Sequence, residues 1–157
     1  DKRKLKKLIK KYWSLNPSSL LRSIIIKILT DNDLTDIKFI NEIIKNNAGE
    51  EESKKLLIYF AIKNLKWDIA RENVIGMIGS NPSKDICYFM SDIELGENND
   101  KQKSDAWIMR AENAKMYNSW ICRITNQTQE EWSSLSDSGN YNSLVWSSPM
   151  MIRQNIN

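Results

Sequence analysis

The residues of this chain best suited to do chemistry by type and spacing are cations. Lys2, Arg3, Lys4, Lys6, Lys7, Lys10 and Lys11 crowd positive side chains into its opening stretch. Their chemistry is electrostatic. They can meet phosphates, an anionic surface or an acidic partner groove, in contacts that salt weakens because the attraction acts through water. The bland alternative is a solvated face over a packed apolar stripe. Other candidate groups offer less. Cys87 and Cys122 are the only cysteines and there is no histidine. Neither a Ser-His-Asp nor a Cys-His arrangement can therefore form, and two thiols without other ligands do not make a zinc site. Both cysteines sit among apolar residues, where burial keeps a thiol inert. Reduced thiols point to an intracellular protein, cytoplasmic or nuclear. The single Asn126-Gln127-Thr128 sequon is a weak pattern, and nothing else points to secretion.

The acidic runs are better read as solvated faces. Adjacent carboxylates in Glu50 to Glu52 and in Glu130-Glu131 point to different sides of a helix. Asp31-Asn32-Asp33 opens like a calcium loop but lacks the glycine and the closing glutamate that such a loop needs. Gly76-Met77-Ile78-Gly79 has the glycines of a KH-type loop with no basic residue between them. A helix end explains it better. No cofactor or metal site is expected, and the chain is not expected to be an enzyme.

The elements that position these residues follow from periodicity. Leu5, Leu8, Ile9, Tyr12 and Trp13 mark one apolar stripe of a helix over 4–13. Pro17 stops it. Ser18 or Ser19 caps a helix to Leu29, and a second runs from Leu34 to Lys45 with Ile37, Ile40, Ile43 and Ile44 on one side. Asn46-Asn47-Ala48-Gly49 ends that one. A helix from the glutamates to Asn64, a tight Leu65-Lys66 turn and a helix from Trp67 to Ile78 follow. Asp85 to Leu95 fits a further helix or a strand. Gly96 to Ser104 reads as a charged loop, Ala106 to Ile124 as helix, and Ser143 to Met151 as a strand pairing back across Asp137-Ser138-Gly139-Asn140.

These elements repeat. Ile24-Ile25-Ile26-Lys27-Ile28-Leu29 aligns with Leu56-Leu57-Ile58-Tyr59-Phe60-Ala61. At the same offset Asn32 falls on Asn64, Asp36-Ile37 on Asp68-Ile69, and Ile43 on Ile75, although Ile40 meets Glu72 and Ile44 meets Gly76. A period of about 32 residues with two apolar helical runs per unit marks stacked helical hairpins, which usually serve as binding scaffolds. The basic first helix fits as the second half of an earlier unit.

Tyr59-Phe60-Ala61-Ile62-Lys63-Asn64-Leu65-Lys66-Trp67-Asp68-Ile69-Ala70 resembles the centre of an ankyrin repeat, and Asp33-Leu34-Thr35-Asp36-Ile37 resembles the same turn one unit earlier. The ankyrin Thr-Pro-Leu-His opening is absent, and Leu65 stands where that family has its turn glycine. The same residues resemble helix pairs of vesicle-coat and tethering α-solenoids. Either resemblance implies a helical-repeat scaffold. Asn73-Val74-Ile75-Gly76-Met77-Ile78-Gly79 followed by Ser147-Ser148-Pro149-Met150-Met151 is similar in order and spacing to the cap-binding and linker region of the second basic subunit of influenza-type polymerases. That resemblance implies an RNA-associated segment of a segmented negative-strand virus polymerase. Its cap-stacking aromatic would fall near Leu29 and Thr30, which cannot stack a guanine.

The expected protein is mainly α: stacked helical hairpins over 1–82, two and a half in number, then a Trp-rich C-terminal cap over 83–157 of the same domain, with room for a short β-hairpin. It is expected to be a non-catalytic interaction scaffold within a larger protein or complex, with a protein partner. Nucleic acid or an anionic surface would bind through residues 2–11. A net charge of +3 is too small by itself to imply nucleic acid. No apolar run reaches the roughly 18 residues of a membrane span. Partner contacts are expected at Lys4, Lys7 and Lys11, at the turns through Asp31, Asp33 and Lys66, and at Trp132 and Trp146, whose serine-rich surroundings suit exposed anchors. Trp67 is expected between hairpins, and Trp107 and Trp120 in the core of the C-terminal half.

Overall fold

The computed structural model describes residues 1–114, 119–122, 124, 128, 129, 139, 141, 142 and 144–147, and the chain is mainly helical. The helices are α1 (Lys2–Leu15), α2 (Ser19–Asp31), α3 (Ile37–Ile44, followed by a 3-10 turn, Lys45–Asn47), α4 (Glu51–Lys63), α5 (Trp67–Ile75), α6 (Lys84–Asn98) and α7 (Lys101–Ala114). Three short strands, β1 (Ser119–Cys122), β2 (Thr128–Gln129) and β3 (Leu144–Ser147), pair antiparallel in the order β2-β1-β3, with Trp120 opposite Trp146.

The offset that carries Ile24 onto Leu56 holds at both ends of the first helices, Ser19 to Glu51 and Asp31 to Lys63, and it holds through the caps. The Asn32 amide donates to the Ile28 carbonyl and the Asn64 amide to the Phe60 carbonyl, each at 2.8 Å. The next residues, Asp33 and Leu65, adopt left-handed φ of 54° and 57°. The N–H of Leu34 then reaches back to Leu29 (2.9 Å), and that of Lys66 to Ala61 (2.8 Å). Both ends are Schellman motifs, which satisfy carbonyls that the last turn would leave unpaired.

The second helices obey a different offset. It carries Ile37, the start of α3, onto Trp67, the start of α5, because the linker Asn64–Lys66 is shorter than Asn32–Asp36. Ile40 and Ile44 therefore correspond to Ala70 and Val74, and all four are buried. The sequence alignment of Ile43 with Ile75 is corrected: Ile43 is buried and Ile75 exposed.

Packing places α2 on α4 and α4 on α6, with α1 on α3, while α3, α4, α5, α6 and α7 each pack on the next. Among the described residues the hairpins number three and a half, because α6 and α7 form one more than expected. One core lies between α1, α2, α3 and α4 around Trp13, Leu29, Ile40 and Phe60. A second lies between α4, α5 and α6 around Ile58, Val74, Ile86 and Ile93, with Trp67 and Trp107 packed against it as expected.

The loop expected at Gly96–Ser104 is not one. α6 runs through Gly96 to Asn98, and α7 begins at Lys101. Asn99 closes α6 with a left-handed φ of 52° and an N–H to the Leu95 carbonyl (3.0 Å); the Asp100 carboxylate accepts from the Lys103 N–H (3.0 Å) and caps α7. Gly96 sits inside a helix because the Trp67 ring lies against it. An added Cβ would fall 2.6 Å from Trp67 Cζ2. The expected helix from Ala106 to Ile124 is likewise corrected, since α7 ends at Ala114 and 119–122 is strand. β3, within the expected strand Ser143–Met151, pairs antiparallel with β1, Ser147 opposite Ser119; Asp137, Ser138 and Asn140 of the expected turn lie outside the described residues.

Charged side chains tie the first helices together. Arg22 Nε of α2 meets Glu52 of α4 (2.7 Å), and Lys55 Nζ of α4 meets Asp85 of α6 (2.7 Å) and Glu51 (3.0 Å). Burial works to lower the Lys55 pKa and to raise that of Asp85, but their mutual ion pair overrides it, so Lys55 ends up raised and Asp85 lowered. A second tie is neutral. The Trp13 indole donates to Ser53 Oγ (2.9 Å), Ser53 Oγ donates to Asn47 Oδ1 (3.1 Å), and the Asn47 amide donates to the Trp13 carbonyl (3.0 Å).

Candidate docking groove

α1 carries two apolar faces, because its stripe is wider than one neighbour can cover. Ile9 and Trp13 turn inward to the core shared with α3 and α4. Leu8 and Tyr12 turn outward and, with Leu5 and Ile9 at the edge of that core and Leu21, Ile24, Ile25 and Ile28 of α2, line an open groove of about 300 Å³ that exposes no polar surface. Leu8 and Tyr12 are half exposed, and Leu15 and Leu20 beyond the groove are more exposed still. The exposed parts of Leu8, Tyr12 and Ile24 thus adjoin one another along one groove instead of lying scattered over the surface.

The two flanks of α1 differ in charge. Toward α3, Lys6 lies 4.8 Å from the centroid of the Phe39 ring, and Lys10 pairs with Glu42 at 2.8 Å. That pairing holds the Glu42 carboxyl below its usual range. Toward the groove stand Lys4 and Lys11, each one helical turn from Leu8 and so on its side of the helix, with Lys7 next to both. All three are exposed and have no ion-pair partner among the described residues. On α2, Lys27 is paired with Asp31 (3.3 Å).

Of the residues expected to bind a partner, Lys4, Lys7 and Lys11 are thus brought together on one stripe beside the groove. The turn residues are not part of it. Asp31 is engaged by Lys27, and Asp33 and Lys66 are exposed at the two Schellman turns. Those turns are themselves linked, since the Asn64 amide also donates to the Thr35 carbonyl (2.7 Å). Trp132 and the side chain of Trp146 lie outside the described residues, as does that of Cys122. The groove residues Leu8, Tyr12 and Ile24 were not singled out by sequence, because an apolar stripe at helical spacing looks the same whether covered or bare.

Burial pushes the Cys87 thiol up, away from reactivity. Among the described residues no group of three or more Cys, Asp or Glu side chains converges to hold a metal ion, and no helix is long and apolar enough to cross a membrane. Leu29, which would stand near a cap-stacking position in the polymerase resemblance, is fully buried. No family model matches this chain, and no significant match exists among curated proteins or solved structures.

Proposed function

We propose that this chain is a non-catalytic scaffold for macromolecular interaction, a segment of a larger protein or complex, and that the α1–α2 groove receives the apolar face of a helix from a protein partner. The observation that carries this reading is Ile24. Its counterpart in the next repeat, Leu56, is fully buried, whereas Ile24 is 47% exposed. α4 has α2 laid along it, whereas among the described residues no helix packs as closely along α2 in the corresponding place. A partner helix in the groove would supply what the register of the repeat calls for, as ridges of side chains enter the channel between two helices. An intracellular setting accords with Cys87 as a buried free thiol.

The test is a fluorescein-labelled amphipathic helical peptide with leucines at i, i+3, i+4 and i+7 and neutral polar residues elsewhere, titrated by anisotropy. Saturable binding is expected, weakened about tenfold, or about 1.4 kcal/mol, by Ile24→Asp and unchanged by Ser23→Asp on the exposed side of the same helix. Absence of binding, or equal loss in both variants, overturns the groove. The polymerase-segment reading, which comes from the resemblance of Asn73–Gly79 and Ser147–Met151, would leave RNA to the basic stripe and give the groove no part. Tight binding of a capped RNA oligonucleotide, indifferent to Ile24→Asp, would favour it.

A further inference from the structure

We infer that the partner helix is acidic along one flank, its carboxylates lying over Lys4, Lys7 and Lys11 while its apolar ridge fills the groove. This rests on the groove as a docking site and specifies its occupant. The molecule already contains the pattern once. On the covered flank of α1, α3 supplies an apolar contact, Phe39 beneath Lys6, and a carboxylate, Glu42, to Lys10. On the open flank the cations are in place, and among the described residues neither complement is present. Lys4, Lys7 and Lys11 are spaced to form one line along the helix, whereas Lys27 and Arg22 of α2 are occupied: Lys27 by Asp31, and Arg22 by Glu52 and Asp85.

The shape of the site favours a helix over a flat anionic surface. The lining residues of α1 and α2 form a concave channel with no polar group in it. A bilayer or a phosphate backbone would touch the lysines and leave the channel unfilled. A helix with leucine or isoleucine on one face and glutamates beside it, at i, i+3 and i+7, would satisfy both features at once. Rim charges of this sort mainly set partner choice, association rate and salt dependence.

Three peptides with one apolar face test this: the neutral peptide above, one with a glutamate flank and one with a lysine flank. At low salt the glutamate peptide should bind about tenfold tighter than the neutral one and the lysine peptide weaker, with the difference collapsing at high salt. The triple variant Lys4→Gln/Lys7→Gln/Lys11→Gln should abolish the preference and leave the neutral peptide bound as before. Since none of these lysines is ion-paired among the described residues, its helical circular dichroism should match the parent. Equal affinity for the glutamate and neutral peptides overturns the acidic flank while the groove stands. Failure of all three peptides overturns the groove itself. Phosphatidylserine vesicles or RNA displacing the glutamate peptide from those lysines would assign the stripe to a membrane or nucleic acid and overturn the inference.

Discussion

The hairpins α2–α3 and α4–α5 start from first helices of equal length and end them with the same cap, yet their first helices live in different surroundings. Leu56, Ile58 and Phe60 of α4 are fully buried; Ile24, Ile26 and Ile28 at the same register are partly or half exposed. The Asn64 amide bridges to the carbonyl of Thr35 in the preceding turn, whereas the Asn32 amide bonds within its own helix. Local sequence therefore determines the helix and its cap, and position in the stack determines what covers them. The apolar content of α2 exceeds what its present neighbours bury, and the excess forms one side of the groove.

The largest expected effect tests that contrast directly. Leu56→Ala removes a side chain enclosed on every side and should cost about 2–5 kcal/mol in chemical denaturation. Ile24→Ala deletes a similar volume from the groove wall and should cost under about 1 kcal/mol, because nearly half the side chain already meets water. Equal losses would mean that α2 is as enclosed as α4, and the distinction between end and interior would fail.

A smaller effect, about 1–2 kcal/mol after allowance for partial exposure, is expected of Asp85→Asn. Asp85 reaches the interior Lys55 at 2.7 Å and the outer Arg22 at 3.4 Å. Ser23, the register counterpart of Lys55, faces water, so this interior charge has no equivalent on α2. Burial alone would raise the Asp85 pKa, but Lys55, Ser83 and Arg22 bring the net value below the usual carboxylate range. A folded-state pKa lowered in this way contributes stability above the unfolded value and loses it as pH falls through the folded one. The parent and Asp85→Asn should hence differ at neutral pH, begin to converge below about pH 4 and meet only once pH has fallen through the lowered folded value. A gap that persists in acid would show that the side chain acts by shape rather than charge.

How much of this was legible depended on whether the cause was local. The first-helix register and the recurrence of Asn32 at Asn64 could be read because they lie in neighbouring residues, although the first helix runs on to Asp31, past the expected end at Leu29. The second-helix register could not, since a shortened linker shifts α5 without leaving a mark on its own pattern. The helix through Gly96 was missed because a glycine followed by Glu97, Asn98, Asn99 and Asp100 has the composition of a loop. Its reason to be glycine lies in the indole of Trp67, on the preceding hairpin and adjacent only after packing. Lys55 reads as surface by type, and only the convergence of Glu51 and Asp85 on it explains its burial. The lysine stripe was visible; the bare apolar wall beside it was not, for covered and uncovered leucines share one spacing.

The smallest effect concerns the two turns, and it separates backbone from packing. Asp33 and Leu65 occupy the same left-handed position, where a Cβ crowds the following carbonyl and glycine does not. Aspartate tolerates that conformation better than leucine, because its short polar side chain can bond locally. Leu65 is well exposed and gives up little burial when removed. Leu65→Gly should thus stabilise the fold by about 0.5–1 kcal/mol, the strain relieved slightly exceeding the added entropy of the unfolded chain. Asp33→Gly should change it by about half as much or less. Thermal or urea unfolding of both variants would read the difference. If Leu65→Gly destabilises instead, the exposed leucine contributes contacts that the strain does not outweigh, and the two turns are alike in geometry but not in what holds them.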